Sequence, residues 1–511
     1  MRLRNRRTRA GLTTCTTTAI VIALTACHTQ PQVRLTPDAA SSSAPLAASA
    51  RLQHDIDALV AAPSLEHSYW GVVAKSLKTG DTLYALNAHK LLMPASTMKI
   101  VTMAAAAERL GWNYTYETRL LGAGPIQGGV LNGDLVVVGS GDPSIVADDG
   151  MAAGLFASWA ERLKSMDVRA INGRIVGDDN AFDDEALGFG WSWDDLAEGF
   201  ATTVGALQFN ENTVHVTIAP GSAVGASAVL TIAPEGSGLI VANQVRTAPA
   251  GETASVSAHR LPGRARLDLG GSVPLGGGAI LRTLSVDNPT LFFVTALRDA
   301  LVSRGIDVRG PAVDIDDLAD TPPKNNAVLI LSYRSPPLST LAETLMKESQ
   351  NLYGETFLKT LGAVSGTPTV EGGRAATNAI LREWAVPPGE LIQMDGSGLS
   401  RYDYVTPDAL VGILAHVDRD EKLRDPFVAS LPIAGRDGTL AGRMKGTLAE
   451  GNARAKTGSM SNVRTLAGYV TTADGEPVAL SILANNFETP PDAITRTIDA
   501  IVVRLARFSR R

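Results

Sequence analysis

The chain has 511 residues, 45% of them hydrophobic, and a formal charge of −6. Such a length allows more than one core, because single domains usually run to about 100–200 residues. Five arginines and no acids fall within residues 1–26, which leaves the remainder at −11 and argues against nucleic acid as a partner.

The first element is an export signal over residues 1–26, with Arg2, Arg4, Arg6, Arg7 and Arg9 as its basic region and Ala19–Ala26 as the core of a short apolar region. It ends in Leu24-Thr25-Ala26-Cys27, which resembles the lipobox of bacterial lipoproteins. That resemblance implies an exported protein of the cell envelope or periplasm, held to a membrane by a lipid on Cys27. His28, rather than Asp, follows the cysteine, as in lipoproteins sorted to an outer membrane. The alternative is ordinary cleavage nearby, which leaves a free thiol. Cys15 lies inside the signal, so the exported part has no cysteine pair to oxidise. Residues 27–50, rich in Ala, Ser and Pro, read as a flexible tether. Beyond the N-terminus no apolar run approaches the roughly 20 residues that span a bilayer.

The spacing of Leu52, Ile56, Leu59 and Val60 predicts a helix from Arg51 to Ala62. Ser68–Ser76 and Thr82–Leu86 flank Lys78-Thr79-Gly80-Asp81 and read as a hairpin. A helix starts just after Pro94, with Ser96 and Lys99 in its first turn. From Tyr114 to Asn288 the texture changes to short strands, Leu135–Val138, Val214–Ile218, Val229–Ile232 and Leu239–Val241, with one helix near Met151–Met166. Helical spacing returns at Leu291–Arg304, Leu338–Leu361, Val370–Trp384 and Asp408–His416. Leu466–Thr472 and Val478–Leu483 then bracket Asp474-Gly475, a strong hairpin signal. The last helix runs from about Asp492 to Phe508.

Three short motifs carry chemistry. Ser96-Thr97-Met98-Lys99 puts an amine and a hydroxyl on one helical face. A serine is a poor nucleophile without an adjacent base, and a lysine is such a base only when burial or neighbouring cations keep it neutral. Ser349-Gln350-Asn351 interrupts the apolar stripe of Leu341, Leu345, Leu352 and Phe357; its hydroxyl and amide suit proton relay and the holding of a substrate backbone, and alone it would read as a solvated helix face. Lys456-Thr457-Gly458-Ser459 opens a strand on which a cation and two hydroxyls suit a carboxylate and a glycine lets backbone approach. The backbone N–H groups of Ser96 and Ser459 are candidates for an oxyanion hole. Lys78-Thr79-Gly80 repeats the last tripeptide, but it precedes Ser96 and fits a hairpin turn. The chain contains neither a zinc-peptidase H-E-x-x-H nor a G-x-S-x-G elbow, so no metal site and no cofactor are expected.

In order and spacing these three motifs resemble those of penicillin-binding proteins. The long insertion after the first resembles the low-molecular-mass D-alanyl-D-alanine carboxypeptidase/endopeptidase family, peptidase family S13. Gly133-Asp134-Leu135, Gly139-Ser140-Gly141-Asp142-Pro143 and Asp395-Gly396-Ser397-Gly398-Leu399-Ser400 match as well. The likeness spans roughly residues 55–505 and departs at Gln350, where family members commonly carry Asp.

The resemblance implies an α/β (α+β) fold. A five-stranded antiparallel sheet is flanked by helices and joined to an all-helical subdomain, with β-rich domains inserted after the nucleophile helix. The catalytic domain is then 51–120 with 286–511, and the insertion 121–285. The implied activity is a serine D-Ala-D-Ala carboxypeptidase or endopeptidase that acts on peptidoglycan stem peptides and is acylated by β-lactams. Ser96, Lys99, Ser349, Asn351 and Lys456 are the implied catalytic residues; Thr457, Gly458 and Ser459 bind substrate. Asp195 and Phe200, within the run from Trp191 onward, match the acid and aromatic that recognise the third residue of the stem, with Asp194 as the competing acid. Read from its residues alone, 395–400 is a tight turn. Two other functions remain: a β-lactamase or esterase on this scaffold, and a non-catalytic envelope scaffold.

Overall fold

Both faces of the C-terminal strands are covered, which is why they read as nearly unbroken apolar runs. In Pro477–Asn485, Ala479 and Leu483 enter one core while Val478, Leu480, Ile482 and Ala484 enter another, as the two-residue period of a strand requires. This strand is the middle of a five-stranded antiparallel sheet ordered Thr82–Leu86, Tyr69–Ser76, Pro477–Asn485, Val463–Thr471 and Arg454–Met460. Helices Ser43–Val60 and Pro491–Ala506 cover one face with Leu52, Ile56, Ile494 and Ile501. Met98–Leu110 and Pro407–Arg419 cover the other. Gly80 and Gly475 turn the two expected hairpins with φ of 80° and 81°, a region glycine enters without steric penalty.

The structure is a computed structural model that describes residues 43–147, 150–322 and 327–511. The expected signal, Cys27 and most of the tether lie outside the described residues. Where the tether is described, helix begins at Ser43 instead of Arg51, since the alanines that suggest a loose linker are also the best helix formers. Pro45–Arg511 form one compact unit; of the other, Met1–Ala44, only Ser43 and Ala44 are described, both helical. Among the described residues no helix is long and apolar enough to cross a membrane.

The inserted body is larger than its β-rich texture suggests. Strands Glu117–Ala123 and Val328–Arg334 pair in a five-stranded sheet with Asp134–Val138, Ile175–Asp178 and Ala312–Asp314. Helix Pro289–Ser303 packs Phe292, Phe293 and Leu297 against Phe156, Trp159 and Phe209 of the same body. The chain leaves and re-enters the catalytic layers side by side, Ser335 N–H donating to the Tyr116 carbonyl and Leu338 N–H to that of Tyr114. The insertion therefore runs to about Arg334, beyond the expected 285, because the partner of an apolar helix is not written in its periodicity.

Leu480 is fully buried in the central strand, and Leu480→Ala is expected to lower unfolding free energy by about 2–5 kcal/mol. Val229→Thr, on an exposed strand of the insertion, should change it by no more than about 0.5 kcal/mol in the same denaturant titration.

Candidate active site

Ser96 sits in a tight helical turn, Ala95–Thr97, that runs directly into Met98–Leu110. Ala95 has φ of 46°, a left-handed conformation that costs a residue with a Cβ about 1–2 kcal/mol. Close packing holds it. A Cβ on Gly398 would lie 1.9 Å from the Ala95 carbonyl oxygen, and one on Gly458 would lie 2.7 Å from that of Pro94 and 2.9 Å from Ser96 N. Thr465 Oγ1 donates to the Pro94 carbonyl at 2.7 Å. The turn presents Ser96 Oγ to Lys99 Nζ at 2.9 Å.

The predicted continuous helix Leu338–Leu361 is broken at the second motif. Leu338–Glu343 widens into the turn Thr344–Glu348, Ser349 takes φ of 65° and ψ of 30°, and a new helix, Asn351–Val364, begins. The Gln350 side chain caps it, accepting from Leu352 N at 3.1 Å, and donates to Glu211. Gln350 is thus turned away from the serine. The break releases Ser349 and Asn351 toward the Ser96 turn, where Asn351 Oδ1 accepts from Lys99 Nζ at 2.6 Å.

Lys456 lies on the edge strand beside this turn, its Nζ donating to Ser349 Oγ at 2.7 Å and to the Thr457 carbonyl at 2.8 Å. It is fully buried, below the cleft rather than in its wall. Thr457 Oγ1 bonds Thr439 Oγ1 at 2.7 Å, a neighbour that no motif announced. Segments at 96–99, 349–351 and 456–459, remote in sequence, therefore surround one point.

Burial sets the electrostatics. Lys99 is wholly enclosed, and loss of water pushes its amine down to about 7 against the opposing pull of Asp395, Glu355 and Asp403. Burial, and then the charge of Lys99, hold Lys456 well below the ordinary lysine range. Burial and the neighbouring Asp395 push the Glu355 carboxyl upward, against the N–H groups of Gly396 and Ser397, which donate one to each of its oxygens and favour its ionised form. These acids meet at one loop, which Glu355 reaches from the Asn351 helix: within it Asp395 accepts from Gly398 N at 2.7 Å, Ser400 N at 2.6 Å and Trp191 Nε1 at 2.9 Å. Residues 395–400 are a turn, as expected, but a buried one whose Ser397 carbonyl accepts from Lys99 at 2.8 Å.

A cleft of about 310 Å³ opens above this cluster, lined by Ser96, Ser349, Asn351 and Ser459, with Asp195 and Phe200 from the insertion. Gly458 lies behind it, under the Ser96 turn. Asp194 does not line the cleft. Asp195 is raised by partial burial and by Asp194, with Arg401 opposing. Arg401, Leu399 and Met460 line the same wall and were missed, although each adjoins or belongs to a matched motif. Glu355 was missed too; its signal is the single acid of the helix, four residues after Asn351. Among the described residues, two groups have the chemistry of metal ligands, His89 with Glu390 and Asp408, and Asp179 with Asp314 and Asp316. Neither lines this cleft.

Residues 52–508 match the model of the D-Ala-D-Ala carboxypeptidase 3 (S13) family. The chain belongs to that family. The D-alanyl-D-alanine carboxypeptidase of Actinomadura sp. (strain R39) is 33% identical over 474 residues, 90% of this chain and 85% of that one. The D-alanyl-D-alanine carboxypeptidase DacB of Haemophilus influenzae is 28% identical, over 86% and 90% of the two chains. Penicillin binding protein 4 (dacB) of H. influenzae superposes with a TM-score of 0.77 at 27% identity, covering 89% of this chain and 99% of its own. It has also been solved in complex with a novel β-lactam, with a TM-score of 0.72 at 26% identity and the same coverage. This S13 protein is accordingly a hydrolase, a D-Ala-D-Ala carboxypeptidase of the cell wall, on the penicillin-binding-protein fold.

At Gly458 a Cβ would meet Thr465 Oγ1 at 2.2 Å as well as Pro94 and Ser96. Gly458→Ala is expected to move the edge strand off the Ser96 turn, slowing release of D-alanine from a pentapeptide by about tenfold or more. The accompanying loss of stability should be about 1–3 kcal/mol, read from thermal unfolding.

Proposed function

We propose that this carboxypeptidase works through an acyl-enzyme on Ser96, cutting between the two terminal D-alanines of peptidoglycan stem peptides. The observation that carries the reading is the 2.9 Å contact between Ser96 Oγ and a fully buried lysine amine. Neutral Lys99 takes the hydroxyl proton as Oγ attacks the carbonyl carbon of the penultimate D-alanine. The oxyanion is received by the N–H groups of Ser96 and Ser459. When the C–N bond breaks, the proton held by Lys99 passes by way of Ser349 to the departing amine, which leaves Lys99 neutral again; Ser349 also joins Lys456 at 2.7 Å. Water then attacks the ester, releases the shortened peptide and restores Ser96. No metal or organic cofactor enters the scheme.

The substrate's terminal carboxylate lies against Thr457 and Ser459, with Lys456 beneath. An arriving anion favours the ammonium form of Lys456, which burial disfavours in the empty site. Asn351 holds the substrate backbone, and Asp195 with Phe200 reads the third residue. Cross-linked peptides meet the same machinery, which makes endopeptidase action a second outcome of one chemistry. β-Lactams acylate Ser96 and leave slowly; the complex of the H. influenzae relative with a β-lactam supports this. The N-terminal pattern ending in Cys27 supports export and a lipid anchor in the cell envelope, in the outer membrane of a two-membrane bacterium.

Ser96→Ala is expected to lower D-alanine release from a purified pentapeptide by about 10⁴-fold or more; persistent release would remove Ser96 as nucleophile. Because only the unprotonated amine accepts a proton, acylation by labelled penicillin should rise with pH and pass half its maximum near pH 7, where burial places Lys99. Cys27→Ala should move the exported protein from the membrane pellet to the soluble fraction, as fractionation and mass spectrometry would show.

A further inference from the structure

A neutral amine has two N–H bonds and one lone pair, yet Lys99 Nζ has three neighbours: Ser96 Oγ, Asn351 Oδ1 and the Ser397 carbonyl. An amide oxygen and a carbonyl oxygen only accept, whereas a hydroxyl does either. With both N–H bonds spent on Asn351 and Ser397, the lone pair is left for Ser96. The direction of the Ser96 contact therefore depends on two acceptors being in place, and each is held by something else. Asn351 is fixed by its own Nδ2, which donates to the Phe200 carbonyl at 2.7 Å.

The Ser397 carbonyl belongs to a segment without helix or strand; the two backbone N–H groups that precede it are tied to one carboxylate, and the N–H of its own peptide plane, Gly398 N, is held by Asp395 at 2.7 Å. Glu355 accepts from Gly396 N at 2.9 Å and from Ser397 N at 2.8 Å, through different oxygens. The helix and the segment touch so closely that a Cβ on Gly396 would lie 2.0 Å from the Gly354 carbonyl oxygen. Glu355 is four residues beyond Asn351 on that helix, so one face carries an acceptor for Lys99 and the group that holds the other acceptor.

We propose that Glu355 is a positioning residue of the reaction: it fixes the Ser397 carbonyl on Lys99 and thereby aims the lysine lone pair at Ser96. The inference rests on the reading of Lys99 as the base. The charged groups that face Lys99 are Lys456 from the edge strand, Glu355 from the Asn351 helix, and Asp395 and Asp403 from the segment that bears Ser397.

The test is the pH dependence of acylation by labelled penicillin in the full-length protein, with thermal unfolding as the check of folding. Glu355→Gln sets an amide N–H against a backbone N–H and removes an anion that favours the lysine ammonium. Its plateau rate is expected to fall about tenfold to a hundredfold, and its acid limb to move to lower pH. Glu355→Asp keeps the charge and shortens the reach by one methylene, so its plateau should fall while the limb stays. A folded Glu355→Gln protein with the wild-type plateau, or with a lower plateau and an unmoved limb, overturns the proposal. If that variant does not fold, a wild-type plateau in Glu355→Asp overturns it. Lys99→Met separates the two claims: acylation that survives there removes the base itself, whatever Glu355 does.

Discussion

An amine taken out of water is the constraint around which this site is arranged. In solution Lys99 would be an ammonium ion and useless as a base; full burial brings it down to about 7. Burial without partners would be ruinous for any polar group, and Lys99 Nζ has three oxygens at hydrogen-bond distance. Asp395, Glu355 and Asp403 lie one layer further out and favour the charged form of Lys99. They oppose the depression of Lys99 without abolishing it, which leaves a base near neutrality instead of a permanently uncharged amine.

The insertion takes part in this arrangement as well as enlarging the cleft. Its Phe200 carbonyl orients Asn351, its Trp191 indole bonds Asp395, and its Asp183 and Glu185 take the buried amine of Lys359 from the Asn351 helix. Gln208 adds a bond to Thr356 on the same helix. Asp195 and Phe200 thus line the cleft from the same stretch that steadies the Asn351 amide. The cleft wall and the partners of Lys99 therefore share a support.

Glycine governs the remaining distances. Gly398 and Gly458 bring two backbones against the Ser96 turn from opposite sides, where any Cβ would collide within 3 Å. That contact keeps Ala95 in its left-handed conformation and brings the segments that bear the Ser96 and Ser459 N–H groups together. The matching tripeptide at Lys78–Gly80 has no such neighbours and is an exposed hairpin turn, which shows that context, rather than the three letters, gives the motif its use.

Strand alternation, turn glycines and helical spacing made the catalytic layers legible, because these are local signals with fixed periods. The three motifs named the residues around Ser96, because each chemistry demands particular side chains at short separation. Three features depended on contacts between distant segments and left no local period to read. The insertion extends to Arg334 through a strand pair more than 200 residues apart. The helix breaks at Ser349, where spacing alone predicted continuity. Asp395–Ser400 does more than turn the chain, since the Ser397 carbonyl meets Lys99 across nearly 300 residues. By itself the sequence determined the fold, the family and which motif residues to look for around Ser96. Only the tertiary structure decided how the lysine is kept dry and which way its lone pair points, because burial and hydrogen-bond direction arise from what surrounds a residue and not from its neighbours in the chain.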